Sequence, residues 1–181
     1  MISVFEYLLE LEKEDDSHLG RILVLLNVFA GIEGKKEIKG LTKLAKLDFL
    51  LRYPVYLERA MKKVHQNPER VKIKEYEKKN VESKMVRFKY GPWDFRYRRF
   101  INELVGRGLV YIRPEGRSIY LGVTDNGRKI FEALQNDPWH DDIISRAKII
   151  NSNFNKSGTN LMKFIYATFP EIGSLKYGTK I

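Results

Sequence analysis

The chain has 181 residues, of which 43% are hydrophobic and 12% aromatic, with a formal charge of +10 and no cysteine. This length supports one core with a short appendage, and the composition excludes wholesale disorder. Without thiols, disulfides and thiolate metal sites are excluded.

The longest apolar run, Ile22 to Ile32, is broken by Asn27 and Gly31 and is too short for a bilayer span. Residues 1–16 carry six acids and one lysine, the reverse of a leader peptide. A cytoplasmic protein with no membrane contact is therefore expected. Residues 70–100 carry eleven Lys or Arg against four acids. Such a stripe attracts polyanions, either nucleic acid or an acidic protein surface, unless it is only a solvated basic face.

In chain order, Ile2 to Leu9 reads as a short strand or a helix. Ser17 is a candidate N-cap for a helix bearing Leu19, Ile22, Leu23, Leu26 and Phe29, apolar on most sides and ended by Gly31 and Gly34. Leu41 to Leu51 forms a second amphipathic unit that stops at Tyr53-Pro54. Pro54 then opens a helix with Leu57, Ala60, Met61 and Val64. Residues 66–84 are charged and aperiodic, a loop or a frayed helix.

Met85 to Tyr90 alternates apolar and basic residues and breaks at Gly91-Pro92. Asp94 can cap a helix running to Gly106, with Phe95, Tyr97, Phe100, Ile101, Leu104 and Val105 along it, and the spacing of Phe95, Tyr97 and Phe100 suits a buried face. Gly108 closes it. Leu109 to Ile112 is a strand, Pro114-Glu115-Gly116 a turn and Ser118 to Val123 the returning strand. Thr124 or Asp125 caps a helix with Ile130, Phe131 and Leu134. This order is that of a winged helix. Ile143 to Ile150 is helical, Asn151 to Lys156 a break, and Ser157 or Thr159 opens a last helix ending at Pro170. The expected class is α+β, mostly α. A single domain spans 1–181, with a winged-helix core at 85–135, a charged loop at 66–84 and a helical extension at 138–181.

The sequence offers little for catalysis. There is no phosphate-binding glycine loop ending in Lys-Ser or Lys-Thr and no nucleophile elbow. His140-Asp141-Asp142 reads as an acidic helix N-terminus more readily than as a metal site, because adjacent side chains diverge. Glu77-Lys78-Lys79 matches half of a nuclease signature but lies in a polar segment. No cofactor and no enzymatic activity are expected. Arg87, Lys89, Arg96, Arg98 and Arg99 surround the start of the recognition helix, and Arg113 and Arg117 flank the wing turn. These seven are the candidate contacts to nucleic acid or a partner.

Three stretches resemble a known family: Leu44-Ala45-Lys46-Leu47-Asp48-Phe49-Leu50-Leu51-Arg52-Tyr53-Pro54, Lys84 to Asp94, and Ser157 to Ile172. Together they look like motifs of the middle components of ABC-three-component systems. The resemblance implies a small subunit of a Lamassu-type anti-phage system, placed between an SMC-like ABC ATPase and a toxic effector, often a nuclease. It implies only weak DNA binding by the subunit alone and supplies no catalytic residues. A winged-helix transcriptional regulator or antitoxin is the alternative that the basic helix and wing allow.

Overall fold

The computed structural model describes residues 4–78 and 84–181, with side chains from residue 15 onward. It is an α+β fold dominated by helices. Helix α1 (Val4–Ala30) runs unbroken through Ser17, which is an exposed mid-helix residue and not the expected N-cap. Gly31 and Gly34, both at positive φ, end it. A two-residue strand β1 (Ile38–Lys39) leads into α2 (Leu41–Arg52), and Tyr53 separates α2 from α3 (Pro54–Lys63).

Helix α2 is central. Every residue from Leu44 to Leu51 is buried, Lys46 and Asp48 included. Its Phe49 ring meets Tyr53, Tyr56 and Phe169 at centroid distances of 5.1, 5.1 and 6.1 Å. One continuous core runs from Leu19 to Ile172, so the helices on both sides of the 85–135 region share its interior.

The described part of the charged loop contains two turns of 3-10 helix, Pro68–Val71 and Glu75–Lys78. Val71 is buried beneath them. Arg146, itself buried, donates to the Val71 and Lys72 carbonyls and pairs with Glu77 at 2.6 Å. Glu77 is thus a structural ion-pair partner.

Strands β2 (Val86–Phe88) and β3 (Gly91–Trp93) form a hairpin, so Gly91-Pro92 lies inside a strand and does not break it. The chain's last residues run along β2: Arg87 N–H donates to Thr179 O at 2.8 Å and Ile181 N–H to Met85 O at 2.9 Å. The Tyr53 hydroxyl accepts from Met85 N–H and donates to Ile181 O.

Helix α4 (Tyr97–Gly106) precedes β4 (Val110–Glu115) and β5 (Ser118–Val123). Pro114 and Glu115 are strand residues, and the turn is the shorter pair Gly116-Arg117. Strand β1 pairs with β5, giving the antiparallel order β1-β5-β4. A strand some seventy residues earlier in the chain therefore completes this layer.

Thr124 caps α5 (Asp125–Gln135) by accepting from Gly127 N–H. Helix α6 (Asp141–Phe154) carries the two acids at its first turn, as the sequence indicates, and runs four residues into the expected break, which narrows to residues 155–157. There Asn151 reaches across to donate to Val28 O. Ser157 caps α7 (Gly158–Thr168), and Pro170 opens a short α8 (Pro170–Ser174). Among the described residues no helix is long and apolar enough to cross a membrane.

Two glycines give opposite expectations. A Cβ at Gly127 would lie 2.1 Å from the Leu109 carbonyl oxygen, and both atoms are held in place by the α5 cap and β4. Gly127→Ala should therefore cost about 1–3 kcal/mol. A Cβ at Gly20, inside α1, meets nothing within 4 Å, so Gly20→Ala should gain roughly 0.5–1 kcal/mol of helix propensity. Urea midpoints measured side by side should move in opposite directions.

Candidate binding surface and the ion network beneath it

Aspartate and arginine four residues apart, on a helix whose residues 44–51 are all buried, must find partners. Asp48 is fully buried. It accepts from Arg21 Nε at 2.6 Å, Arg52 Nη2 at 2.8 Å and the Tyr97 hydroxyl at 2.7 Å. Arg52 extends the network by donating to Asp94 at 3.0 Å. Asp94 also accepts from the Arg96 backbone N–H and from its guanidinium at 3.0 Å. Its carboxylate thus shapes the turn into α4, although the helix itself begins only at Tyr97. Arg21 Nη2 lies 2.6 Å from His18 Nδ1, and Arg96 Nη2 lies 3.2 Å from His18 Nε2.

The network ties α1, α2 and the start of α4 together. It also joins two of the three stretches that carry the family resemblance, through Asp48, Arg52 and Asp94. Burial would push the Asp48 carboxyl up, but the Arg21 and Arg52 guanidiniums outweigh it and hold it well below the usual carboxylate range. Burial opposes ionisation of Asp94 too, and hydrogen bonds from Arg96 and Arg52 bring it to about 2. Burial, followed by the Arg21, Arg52 and Arg96 charges, lowers His18 to about 4 despite Asp48 nearby. The ring is therefore neutral at pH 7. A second buried cation, Lys46, is lowered to about 8 by burial and donates to Thr42 O at 2.9 Å. With Asp48 closed to solvent, the cluster is a lock between helices and gives no substrate access to its carboxylate.

The seven candidate contacts fall into three groups. On the β2–β3 hairpin, Arg87 is held between the Tyr166 and Tyr177 rings, 5.2 and 4.4 Å from their centroids, and donates to Phe88 O. Lys89 is exposed at the turn, with its ammonium 5.4 Å from the Tyr90 ring. At the start of α4, Arg96 belongs to the network and Arg99 makes a two-pronged pair with Asp15 at 2.6 and 2.8 Å. Arg98 is exposed with no carboxylate partner among the described residues.

On the β4–β5 hairpin, Arg113 is fixed by Glu37 and Glu115, whose carboxylates raise its already high pKa further. Arg117, at the turn, is exposed and likewise has no carboxylate partner among the described residues. Of the seven, Lys89, Arg98 and Arg117 are exposed and without a carboxylate partner among the described residues.

Sequence spacing placed Phe95 with Tyr97 and Phe100 on a buried face. Tyr97 and Phe100 are buried, whereas Phe95 is 66% exposed. Phe95 precedes the first turn of α4 and so does not share its helical phase. It stacks edge-on against Phe88, with centroids 5.6 Å apart, and Phe88 lies 6.2 Å from Trp93. Trp93 in turn is 5.4 Å from Tyr97, whose hydroxyl reaches Asp48. A line of rings thus runs from the buried network to the surface.

Elsewhere, a cleft of about 300 Å³ lies between Lys72, Gln135, Asp141, Asp142 and Lys148, its charges mixed and partly satisfied by the Lys74–Asp142 pair at 2.7 Å. No group of three or more metal-ligating side chains occurs among the described residues. Comparison with protein-family models, curated proteins and solved structures returns no match to this chain.

Proposed function

We propose that the chain is a non-catalytic adaptor built on a winged helix, binding an SMC-like ABC ATPase and an effector in anti-phage or anti-plasmid defence, with weak DNA binding of its own. The order α1-β1-α2, then α4-β4-β5, with sheet order β1-β5-β4, supports the winged-helix reading. Helix α4 occupies the recognition position and the β4–β5 hairpin the wing, while α3 and the β2–β3 hairpin are inserted between the second and third helices. The family resemblance supports the defence role.

The observation that favours an adaptor over an operator-binding regulator is the internal pairing of the basic residues. Arg96, Arg99 and Arg113 are paired with this chain's own carboxylates, and Arg87 is held between two rings. Three exposed cations without carboxylate partners among the seven imply few phosphate contacts from the helix start, the hairpin and the wing. Each phosphate contact contributes about −0.9 to the slope of log K against log salt on a duplex, so a slope near about −3 is expected. That is shallow for a regulator.

Size exclusion with light scattering, on the protein alone and co-expressed with the ATPase encoded beside it, tests the reading. Co-elution at fixed stoichiometry that survives moderate salt is expected. A free dimer that ignores the ATPase and selects one palindromic site from random DNA would make it a transcriptional regulator or antitoxin instead.

A further inference from the structure

We infer that Phe88, Tyr90 and Phe95, with Lys89 and Arg98, form a contact surface for unpaired bases of single-stranded DNA, separate from the wing. The proposal rests on the DNA-bearing, non-catalytic reading above and names the form of DNA. The three rings are 38%, 50% and 66% exposed, although every other large aromatic between Met85 and Phe100 is buried or half-buried. Phe88 and Phe95 are adjacent, with centroids 5.6 Å apart, and contiguous exposed apolar area of this kind marks interaction sites.

Charge indicates what covers it. From Lys84 to Arg99 the sole acid is Asp94, which is buried and committed to Arg52 and Arg96. Lys89 and Arg98 stand on either side of Phe95 in sequence, exposed and without carboxylate partners among the described residues. The surface therefore suits a ligand that is both anionic and aromatic. Single-stranded nucleic acid has that combination, with phosphates beside the cations and bases on the rings.

Shape favours it over an acidic peptide. Tyr90 sits on a hairpin turn and Phe95 just ahead of a helix, and both are exposed. An amphipathic peptide helix needs a concave apolar groove, whereas a base needs only an exposed ring face.

The platform is also held from behind. The Phe88 carbonyl accepts from Arg87 Nη1 at 2.8 Å and from the Tyr166 hydroxyl at 3.3 Å. Trp93 links Phe88 to the buried Tyr97. Little ordering of the hairpin is then required on binding.

Fluorescence anisotropy with the full chain and a labelled oligothymidylate of about 20 nucleotides, longer than the roughly 4–16 nucleotides that one small domain covers, tests the proposal. At about 50 mM salt, oligothymidylate should bind more tightly than a duplex of equal length. Phe95→Ala and Tyr90→Ala should each weaken it roughly 5-fold to 100-fold, the range that loss of one stacked base gives. Phe95→Trp should bind as well as the parent, and Lys129→Ala, at an exposed position on α5, should leave oligothymidylate binding unchanged. Far-UV circular dichroism of each variant should match the parent, since neither ring is in the core.

No binding of oligothymidylate, binding indifferent to both alanine variants, or equal competition by polyglutamate would each overturn the proposal. Co-elution with the ATPase is read independently. Its loss alongside intact stacking would sink only the adaptor reading, and the converse result would sink only this one.

Discussion

Asp48→Asn should remove about 3–5 kcal/mol of stability, the range observed when one member of a buried ion pair is deleted. The carboxylate accepts from Arg21, Arg52 and Tyr97, and the two arginine side chains are 9% and 4% exposed. Asparagine has nearly the same shape, so the loss would come from charge and not from a cavity. Two guanidiniums would remain buried with no counter-charge from α2, and the new amide would turn a donor toward donors. Against the roughly 5–15 kcal/mol that holds a typical domain together, this change would leave the chain close to unfolding at 37 °C. Urea denaturation followed by circular dichroism measures it. The exposed Arg99–Asp15 pair is the natural contrast: Arg99→Ala should cost about 1 kcal/mol or less, because solvent screens that pair. If Asp48→Asn cost no more than Arg99→Ala, the cluster would be hydrated and would not lock the three helices.

The features legible in the sequence are those set by neighbours along the chain. Tyr53-Pro54 divides α2 from α3 because proline fixes its own φ and lacks an N–H. Thr124 and Ser157 cap their helices with side-chain oxygens, as expected of those residue types. The features that escaped depend on partners far away. Ser17 looks like a cap after Asp15 and Asp16, yet those acids reach across to Arg99 and Arg107, and His18 and Arg21 enter the buried network, so helix α1 continues past them. Strand β1 has two residues and no readable alternation, and only its pairing with β5 defines it.

The candidate surface shows the same division. Counting arginines finds the basic stretch, but whether each arginine is available depends on carboxylates elsewhere. Glu37 takes Arg113 and Asp15 takes Arg99 across 76 and 84 positions of sequence. Phe95 was misplaced because its spacing to Tyr97 and Phe100 matters only once the helix has begun. The sequence does hold a signal for the network: Asp48 and Arg52, four residues apart, flank the apolar run Phe49-Leu50-Leu51, and burial of the helix forces the two charges to be paired.

Acidification should weaken the fold well before the carboxylates titrate, and His18 should be the cause. Its folded pKa of about 4 lies below the ordinary 6.5, with burial the largest influence and Arg21, Arg52 and Arg96 adding to it against Asp48. A histidine lowered in this way contributes its full share above pH 6.5, where neither state holds the proton. As pH falls from 6.5 toward 4 the unfolded chain takes up a proton that the folded chain refuses, and unfolding becomes easier. One proton of difference gives a slope of up to about 1.4 kcal/mol per pH unit, so the loss across this window is on the order of 3 kcal/mol. Asp48 and Asp94 act later, because their lowered pKa values contribute stability that is lost only below the ordinary carboxylate range. Urea midpoints at pH 7, 6, 5 and 4.5 should decline through the window, and His18→Gln, which cannot take up a proton, should flatten the decline while lowering the pH 7 value. A parent profile already flat between pH 7 and 5 would mean that water reaches the ring, and that the contact between α1 and the start of α4 is open where the distances to Arg21 and Arg96 make it closed.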